Sequence, residues 1–384
     1  MAHIGRAGPL AALAAALLLT VAACTPEGGG TPEPSGSAAS ARAGRLKLPT
    51  DLPSGLLAGL PRSWDELRHW TYADWDRWAS AHVFRNPVVR DLWNPDRMDA
   101  AAPQQPAPPT VPPTAPPPGD GSAEPDPTPV PAVPVERPYT RYPASGKVFS
   151  NAPGGGIGQC SATVVADPSH PGKSNLVWTA AHCVHQGKGG DWFKNIIFVP
   201  AYNSSGAASG GRRAPLAEVA PLGQWWADKV VTSPLWPAEG GHSGDAANQY
   251  DFAVLRVHDP QDPSKSLEEA IGTAVPVWFD APREQLRISA WGYPAVKPFN
   301  GQELDRCDGG RPTRLSFDAA RPAMLTIGCT MTAGASGGGW FAPMPDGRTA
   351  LVSNTSIGTG AHTTLSGPYL EKVAQQALAW ISQK

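Results

Sequence analysis

The sequence predicts an all-β barrel fold, and two observations carry that reading. After about residue 138 the chain is a series of short β-type runs: Ile196-Ile197-Phe198-Val199, Ala274-Val275-Pro276-Val277-Trp278, Leu286-Arg287-Ile288-Ser289-Ala290, Leu325-Thr326-Ile327 and Ala350-Leu351-Val352. Glycine, proline and serine separate these runs, as turns between short strands require. The tail, residues 368–384, reads as a closing amphipathic helix.

The stretches before the barrel region have other characters. At 384 residues the chain exceeds one ordinary domain, yet much of it lacks the composition to pack. Residues 1–23 carry Arg6 ahead of an apolar stretch that is short for a bilayer span and has the form of an export signal. The stretch closes as Leu19-Thr20-Val21-Ala22-Ala23-Cys24, a small-residue run ending on cysteine that resembles a bacterial lipobox. Lipidation of Cys24 would hold the protein on the outer face of the cell membrane. The rival is ordinary signal cleavage, which leaves a fully secreted chain with a free thiol. Residues 24–60 begin rich in Gly, Pro and Ser and read as a flexible tether.

Residues 61–98 are a tryptophan-rich island. Ser63 with Glu66 three residues on is a capping-box pattern, and Leu67, Thr71, Trp75, Trp78 and His82 follow helical spacing. A short amphipathic helix is expected, with Asn86-Pro87 as its stop or the start of a turn. The island is too small for a large core of its own, so its tryptophans need a partner. It could be a pro-segment or a docking element on the following domain, a contact with cell-wall polymer or membrane, or a helix of purely local role. Residues 99–137 are dense in proline and read as a semi-rigid spacer in extended conformation. Residues 138–384 form the barrel domain.

Three strings within that domain carry chemistry: Thr179-Ala180-Ala181-His182-Cys183, Tyr250-Asp251-Phe252-Ala253-Val254-Leu255 and Gly334-Ala335-Ser336-Gly337-Gly338-Gly339-Trp340. A serine hydroxyl is a weak nucleophile at neutral pH and needs an adjacent base. An imidazole can take the proton and return it to a leaving group. A buried carboxylate fixes the imidazole tautomer and stabilises the cation. His182, Asp251 and Ser336 supply these three groups. The glycines beside Ser336 permit a tight turn, so that the N–H groups of Gly334 and Ser336 can form an oxyanion hole. Asp251 heads an apolar run that reads as a buried strand, and Asn175-Leu176-Val177-Trp178 reads as a strand delivering His182. Asp245 competes with Asp251 but lies in a Gly/Ser loop with no strand after it. His170, His185, His242, His258 and His362 lack motif context and read as surface or packing residues.

Together with Cys160-Ser161-Ala162-Thr163-Val164-Val165, these strings make residues 145–384 resemble the chymotrypsin/trypsin-like serine peptidases, in the flavour of the secreted bacterial branch that includes glutamyl endopeptidases. The resemblance implies two six-stranded antiparallel barrels with the triad in the cleft between them, and an acyl-enzyme route to peptide hydrolysis. Two positions depart from the pattern. Ala335 stands where the animal enzymes carry an Asp that pairs with a new N-terminus, so that activation route is unavailable. Gly339 stands where Pro is usual. Five cysteines suit an exported chain with two bridges and one left over. Cys160 and Cys183 match the family's bridge beside the histidine, Cys307 and Cys329 are expected to pair ahead of the nucleophile loop, and Cys24 is the odd one.

Specificity is expected from Thr330, six residues before Ser336, and from Ser356, Ile357 and Gly358 on the opposite wall. A pocket without fixed charge suits a neutral or acidic side chain, and His362 is a candidate donor for glutamate. No cysteine or histidine cluster has zinc spacing, so neither metal nor cofactor is expected. The net charge of −2 offers nucleic acid no purchase. The expected partner is a protein or peptide substrate. The alternatives are a non-catalytic binding protein on a peptidase scaffold and an esterase for small acyl groups.

Overall fold

In the computed structural model, the structure describes residues 60–109, 113 and 124–384. Cys24 and the expected signal and tether lie outside the described residues. Three short helices come first: α1 (Trp64–Arg68), α2 (Tyr72–Ala81) and α3 (Pro95–Asp99). Sixteen strands follow, most of them antiparallel, and the Lys372–Ser382 helix closes the chain.

The N-terminal half is a closed barrel. β3 (Ser145–Asn151), β4 (Ile157–Val165), β5 (Leu176–Thr179), β6 (Lys194–Pro200), β7 (Trp225–Thr232) and β8 (Ala253–His258) pair in the order β4-β3-β6-β7-β8-β5, and β5 returns to β4. Closure pairs each strand on both sides, though β5 meets β4 only over Thr163–Val165 and leaves the start of β4 as an edge. Alternate residues such as Val148, Val164, Val177, Phe198 and Leu255 fill the interior. One further strand, β1 (Ala102–Pro103), lies parallel on β4.

The C-terminal half encloses a second core between two sheets. One runs β14 (Thr349–Asn354), β13 (Gly339–Pro343), β9 (Ile288–Gly292), β10 (Asp305–Gly310) and β2 (Val133–Pro134). The other runs β11 (Thr313–Leu315), β12 (Met324–Gly328), β16 (Thr364–Gly367) and β15 (Ile357–Gly358). Ile288, Ala290, Trp340 and Val352 of the first sheet meet Leu325, Ile327 and Leu365 of the second. The Cys307–Cys329 disulfide joins β10 to the end of β12, and Cys160–Cys183 joins β4 to the turn after β5. Both expected bridges are present.

One expected strand is not formed as such. Residues 274–278 make only isolated bridges, Val275 with Val165 and Val277 with Leu351. Pro276 between them has no N–H to continue a ladder. The run nevertheless crosses from one half to the other, touching β4 at one end and β14 at the other.

Within the tryptophan-rich island, the stretch read as one helix is two, α1 and α2, and α3 begins near the island's end. Thr71, read as a helical position, is the N-cap of α2, with Asp74 completing a capping box. Ser63 caps α1 by accepting from the Glu66 N–H. The tryptophans are not free. Trp64, Trp70, Trp75 and Trp78 are buried in one cluster with Val373, Ala377 and Ile381 of the C-terminal helix and Val231 of β7. Trp64 stacks on Tyr250 with ring centroids 4.9 Å apart. Arg68 pairs with Glu371, and Lys384 pairs with Asp76. Downstream, the Asn86 side chain accepts from the Ile196 N–H and donates to the Ile196 and Ala227 carbonyls, and Trp93 donates to the Asn195 carbonyl.

The proline-dense stretch is also tied down wherever it is described. β1 pairs with β4, and the Thr330 N–H donates to the Val130 carbonyl. The Glu124 carboxylate pairs with Arg283 and Arg314. The spacer reading therefore does not hold for residues 101–109 and 124–135. An extended proline-rich chain still offers carbonyls, and backbone donors such as the Thr330 N–H take them up.

Trp75 is 1% exposed at the centre of the α2 cluster. Trp75→Ala should therefore destabilise the protein by about 3–5 kcal/mol, read as a lowered urea midpoint with unchanged slope. A shift no larger than that of an exposed substitution would mean that the island does not contribute to the core.

Candidate active site

The site forms where the two halves meet, and local structure delivers each group. β5 ends at Thr179, and a single 3-10 turn, Ala181–Cys183, carries His182. A second 3-10 turn, Ala246–Tyr250, ends at Asp251 just before β8. Because β5 and β8 pair with Thr179 opposite Ala253, their ends bring His182 and Asp251 together. His182 Nδ1 lies 2.7 Å from Asp251 Oδ2, and the His182 backbone N–H donates to Asp251 Oδ1 at 2.9 Å. An ionised carboxylate can only accept, so Nδ1 carries the proton and Nε2 is left as the acceptor. Asp245, the rival carboxylate, caps the 3-10 turn by accepting from the Ala247 N–H.

Asp251 is fully buried, and its remaining valences are met from the C-terminal half. The Ser356 hydroxyl donates to Oδ2 at 2.5 Å, and the Asn354 side chain donates to the Asp251 carbonyl at 3.0 Å. Asn248 in turn donates to the Ser356 hydroxyl at 2.9 Å. Ser356, read from the sequence as a pocket residue, thus turns its side chain to the carboxylate.

Ser336 sits on a turn shaped by glycine. Gly334 has φ of +101°, and a Cβ there would come within 2.6 Å of the Tyr293 carbonyl oxygen. Gly337 has φ of +77°, and a Cβ there would come within 2.1 Å of Thr179 Oγ1. That second approach seats the turn against the strand end that carries His182. Ser161 of β4 holds the turn from the other barrel. Its N–H donates to the Ser336 carbonyl at 2.7 Å, and its hydroxyl donates to the Gly334 carbonyl at 2.8 Å. Among the described residues, the N–H groups of Gly334 and Ser336 have no acceptor. His182 Nε2 and Ser336 Oγ are likewise buried without a hydrogen-bond partner among the described residues. Four groups are thus left without partners on elements that pack together here: a base nitrogen, a hydroxyl and two amide donors. The Nε2–Oγ hydrogen bond itself is not made. Such bonds are often long before substrate binds.

Ser161 and the positioning role of Ser356 were missed in the sequence. Ser161 lay inside the quoted Cys160-Ser161-Ala162 string, but nothing local signals that its hydroxyl reaches a turn 173 residues later.

The other expected pocket residues divide. Ile357 and Gly358 line a cavity with Thr359, Gly360, Pro108 and Pro109. Thr330 does not line it, because its hydroxyl accepts from the Ala132 N–H. His362 is exposed on a turn with φ of +51°. His185 is buried against Trp192, and burial lowers its pKa to about 3, so it stays neutral. Cys160, His182 and Cys183 lie close enough for a metal, but the two sulfurs bond each other.

This architecture has relatives among solved structures. A thermostable serine protease, AL20, from an extremophilic microorganism is 34% identical over 64% of this chain and 99% of that one, with a TM-score of 0.51. The chain belongs to the chymotrypsin-like serine proteases. The protease Anisep from Arthrobacter nicotinovorans is 30% identical over 65% of this chain and 97% of that one, with a TM-score of 0.51. A Glu endopeptidase aligns at 16% identity over 67% of this chain and 98% of that one, with a TM-score of 0.46. No family model matches the chain, and no curated protein does. On this serine protease scaffold, the described residues that precede β2 form a wrapped arm.

The Ser356 hydroxyl meets a buried charge, so its loss leaves an oxygen of Asp251 short of a donor. Ser356→Ala should lower kcat by about tenfold or more with little change in KM, because a lost hydrogen bond to a buried charge costs about 1.5–3 kcal/mol. Steady-state kinetics on a peptide substrate would check this, and unchanged kcat would mean that Asp251 is held by His182 alone.

Proposed function

We propose that the protein is an exported serine endopeptidase. The observation that carries the reading is the buried His182–Asp251–Ser356 chain set against a glycine-shaped turn that bears Ser336 and two unpaired N–H groups. In the reaction, Ser336 Oγ attacks the substrate carbonyl carbon as its proton passes to His182 Nε2. Negative charge on the carbonyl oxygen is met by the N–H groups of Gly334 and Ser336. Asp251 holds the imidazolium that results. Collapse of the tetrahedral species transfers the proton from Nε2 to the departing amine and leaves an ester on Ser336. Water, deprotonated by the same nitrogen, then releases the acid and restores the hydroxyl.

Export is supported by the two disulfides, which persist in oxidising compartments. Among the described residues no helix is long and apolar enough to cross a membrane. Attachment is proposed through lipid on Cys24, at the head of the tether expected over residues 24–60. Burial of Trp64, Trp70, Trp75 and Trp78 favours the docking role of the island over contact with cell-wall polymer. Ile357 and Gly358 are proposed to line the substrate cleft, in a cavity whose walls also include Glu124, Asp126 and Arg314.

A fluorophosphonate probe should label the wild-type protein on Ser336 and leave Ser336→Ala unlabelled, with both proteins melting alike. A peptide library cleaved by the wild type and untouched by the variant would define the pocket. Labelling without peptide cleavage would favour an esterase, and absence of both would favour a binding protein.

A further inference from the structure

We propose that residues 104–109 hold this site shut, as an internal inhibitor that covers the His182 side of the cleft and must leave before a peptide can reach Ser336. The proposal rests on the peptidase reading above and adds the regulation of the same site.

The segment Gln104-Gln105-Pro106-Ala107-Pro108-Pro109 is fastened at two places. On one side β1 pairs with β4, the Gln104 N–H donates to the Gln159 carbonyl at 3.0 Å, and the Gln159 side chain donates to the Ala101 carbonyl at 2.6 Å. On the other side the Ala107 N–H donates to the His242 carbonyl at 2.6 Å, and the Gly244 N–H donates to the Ala107 carbonyl at 2.9 Å. Between these fastenings, Gln104, Gln105 and Pro106 form one wall of a cavity of about 140 Å³ whose other walls include His182, Trp236 and His242. Farther on, Pro108 and Pro109 reach the β15 side. A Cβ on Gly244 would meet Pro109 Cγ at 2.8 Å, and one on Gly358 would meet Gln105 Nε2 at 3.2 Å. One hexapeptide thus spans from β4, along the cavity that His182 lines, to Ile357 and Gly358.

The reacting groups are themselves buried. Ser336 is 1% exposed and His182 is 7% exposed, and their reacting atoms are buried. No polypeptide substrate reaches a hydroxyl so enclosed without movement of what covers it. The segment is not itself placed for cleavage. The Gln104 N–H and both backbone polar atoms of Ala107 are committed to the cleft walls, and none of the segment's carbonyls accepts from the N–H groups of Gly334 or Ser336. Pro106, Pro108 and Pro109 also lack the N–H groups with which a substrate strand would pair. The cover is held by a few hydrogen bonds and three proline rings, so an open state is accessible. Apparent activity then scales with the open fraction.

The test compares the full chain with two variants: one in which residues 104–109 are replaced by six Gly/Ser residues, and Ala107→Pro, which removes the donor to His242. Fluorophosphonate labelling rate and peptide kcat/KM are measured for each, with thermal melts as the folding control. The replacement should raise both by about tenfold or more, Ala107→Pro should raise both by less, and a synthetic peptide of residues 101–109 should competitively inhibit the opened variant. If the replacement does not fold, Ala107→Pro and the peptide decide the matter. Equal rates in all three proteins, with labelling and hydrolysis intact, would overturn the inhibitor and leave the peptidase standing. No labelling and no hydrolysis in any folded variant would overturn the peptidase reading, and the inhibitor with it.

Discussion

A fully buried carboxylate organises this molecule. Asp251 has no access to solvent, and an uncompensated charge there would cost several kcal/mol. Its partners are the backbone and ring of His182, which belong to the turn after β5, and the hydroxyl of Ser356, which belongs to the C-terminal half. The carboxylate is satisfied only when β5 and β8 are in register and the second half is docked. Assembly of the site and closure of the two halves are therefore one event, and the imidazole orientation needed for proton transfer follows from the same contacts that meet the charge.

Further bonds cross the same boundary. Trp178 of β5 donates to the Asn354 side-chain oxygen, Ser161 of β4 clasps the Ser336 turn, and the Tyr293 N–H donates to the Ser161 hydroxyl. Each joins a buried polar group of one barrel to the other half. Such groups are stabilising when paired and costly when not, so they favour a single relative placement of the halves over a range of placements. A nucleophile that must meet its base within hydrogen-bond distance depends on that placement.

Legibility in the sequence followed the range of the interactions. His182, Asp251 and Ser336 stand out as candidates because each sits in a short string whose local form, strand then turn or glycine-flanked turn, is itself the device that positions it. The barrel strands were readable from alternation and turn residues. The run at 274–278 was over-read because Pro276 breaks the ladder while the hydrophobic pattern persists. Ser356 looked like a wall residue, since nothing near it in the chain indicates a carboxylate 105 residues earlier. The island at 61–98 was read as one helix because the periodicity runs through Thr71, whose side chain in fact starts a second helix. Its docking was left open, because burial against a helix some 300 residues later is not a local property.

The proline-rich stretch was the largest departure, and it shows why composition misleads there. Proline forbids helix and central strand, which argues for a spacer, but it does not forbid lying along an existing surface. A chain already extended loses less entropy on docking than a flexible one. Its carbonyls remain strong acceptors, and its rings are apolar. Such a segment is thus well suited to occupy a groove whose walls carry unpaired backbone groups, as the loop at His242 and Gly244 and the edge of β4 do. The proline density that marks residues 99–137 as a linker is the same property that suits residues 104–109 to lie along a cleft wall.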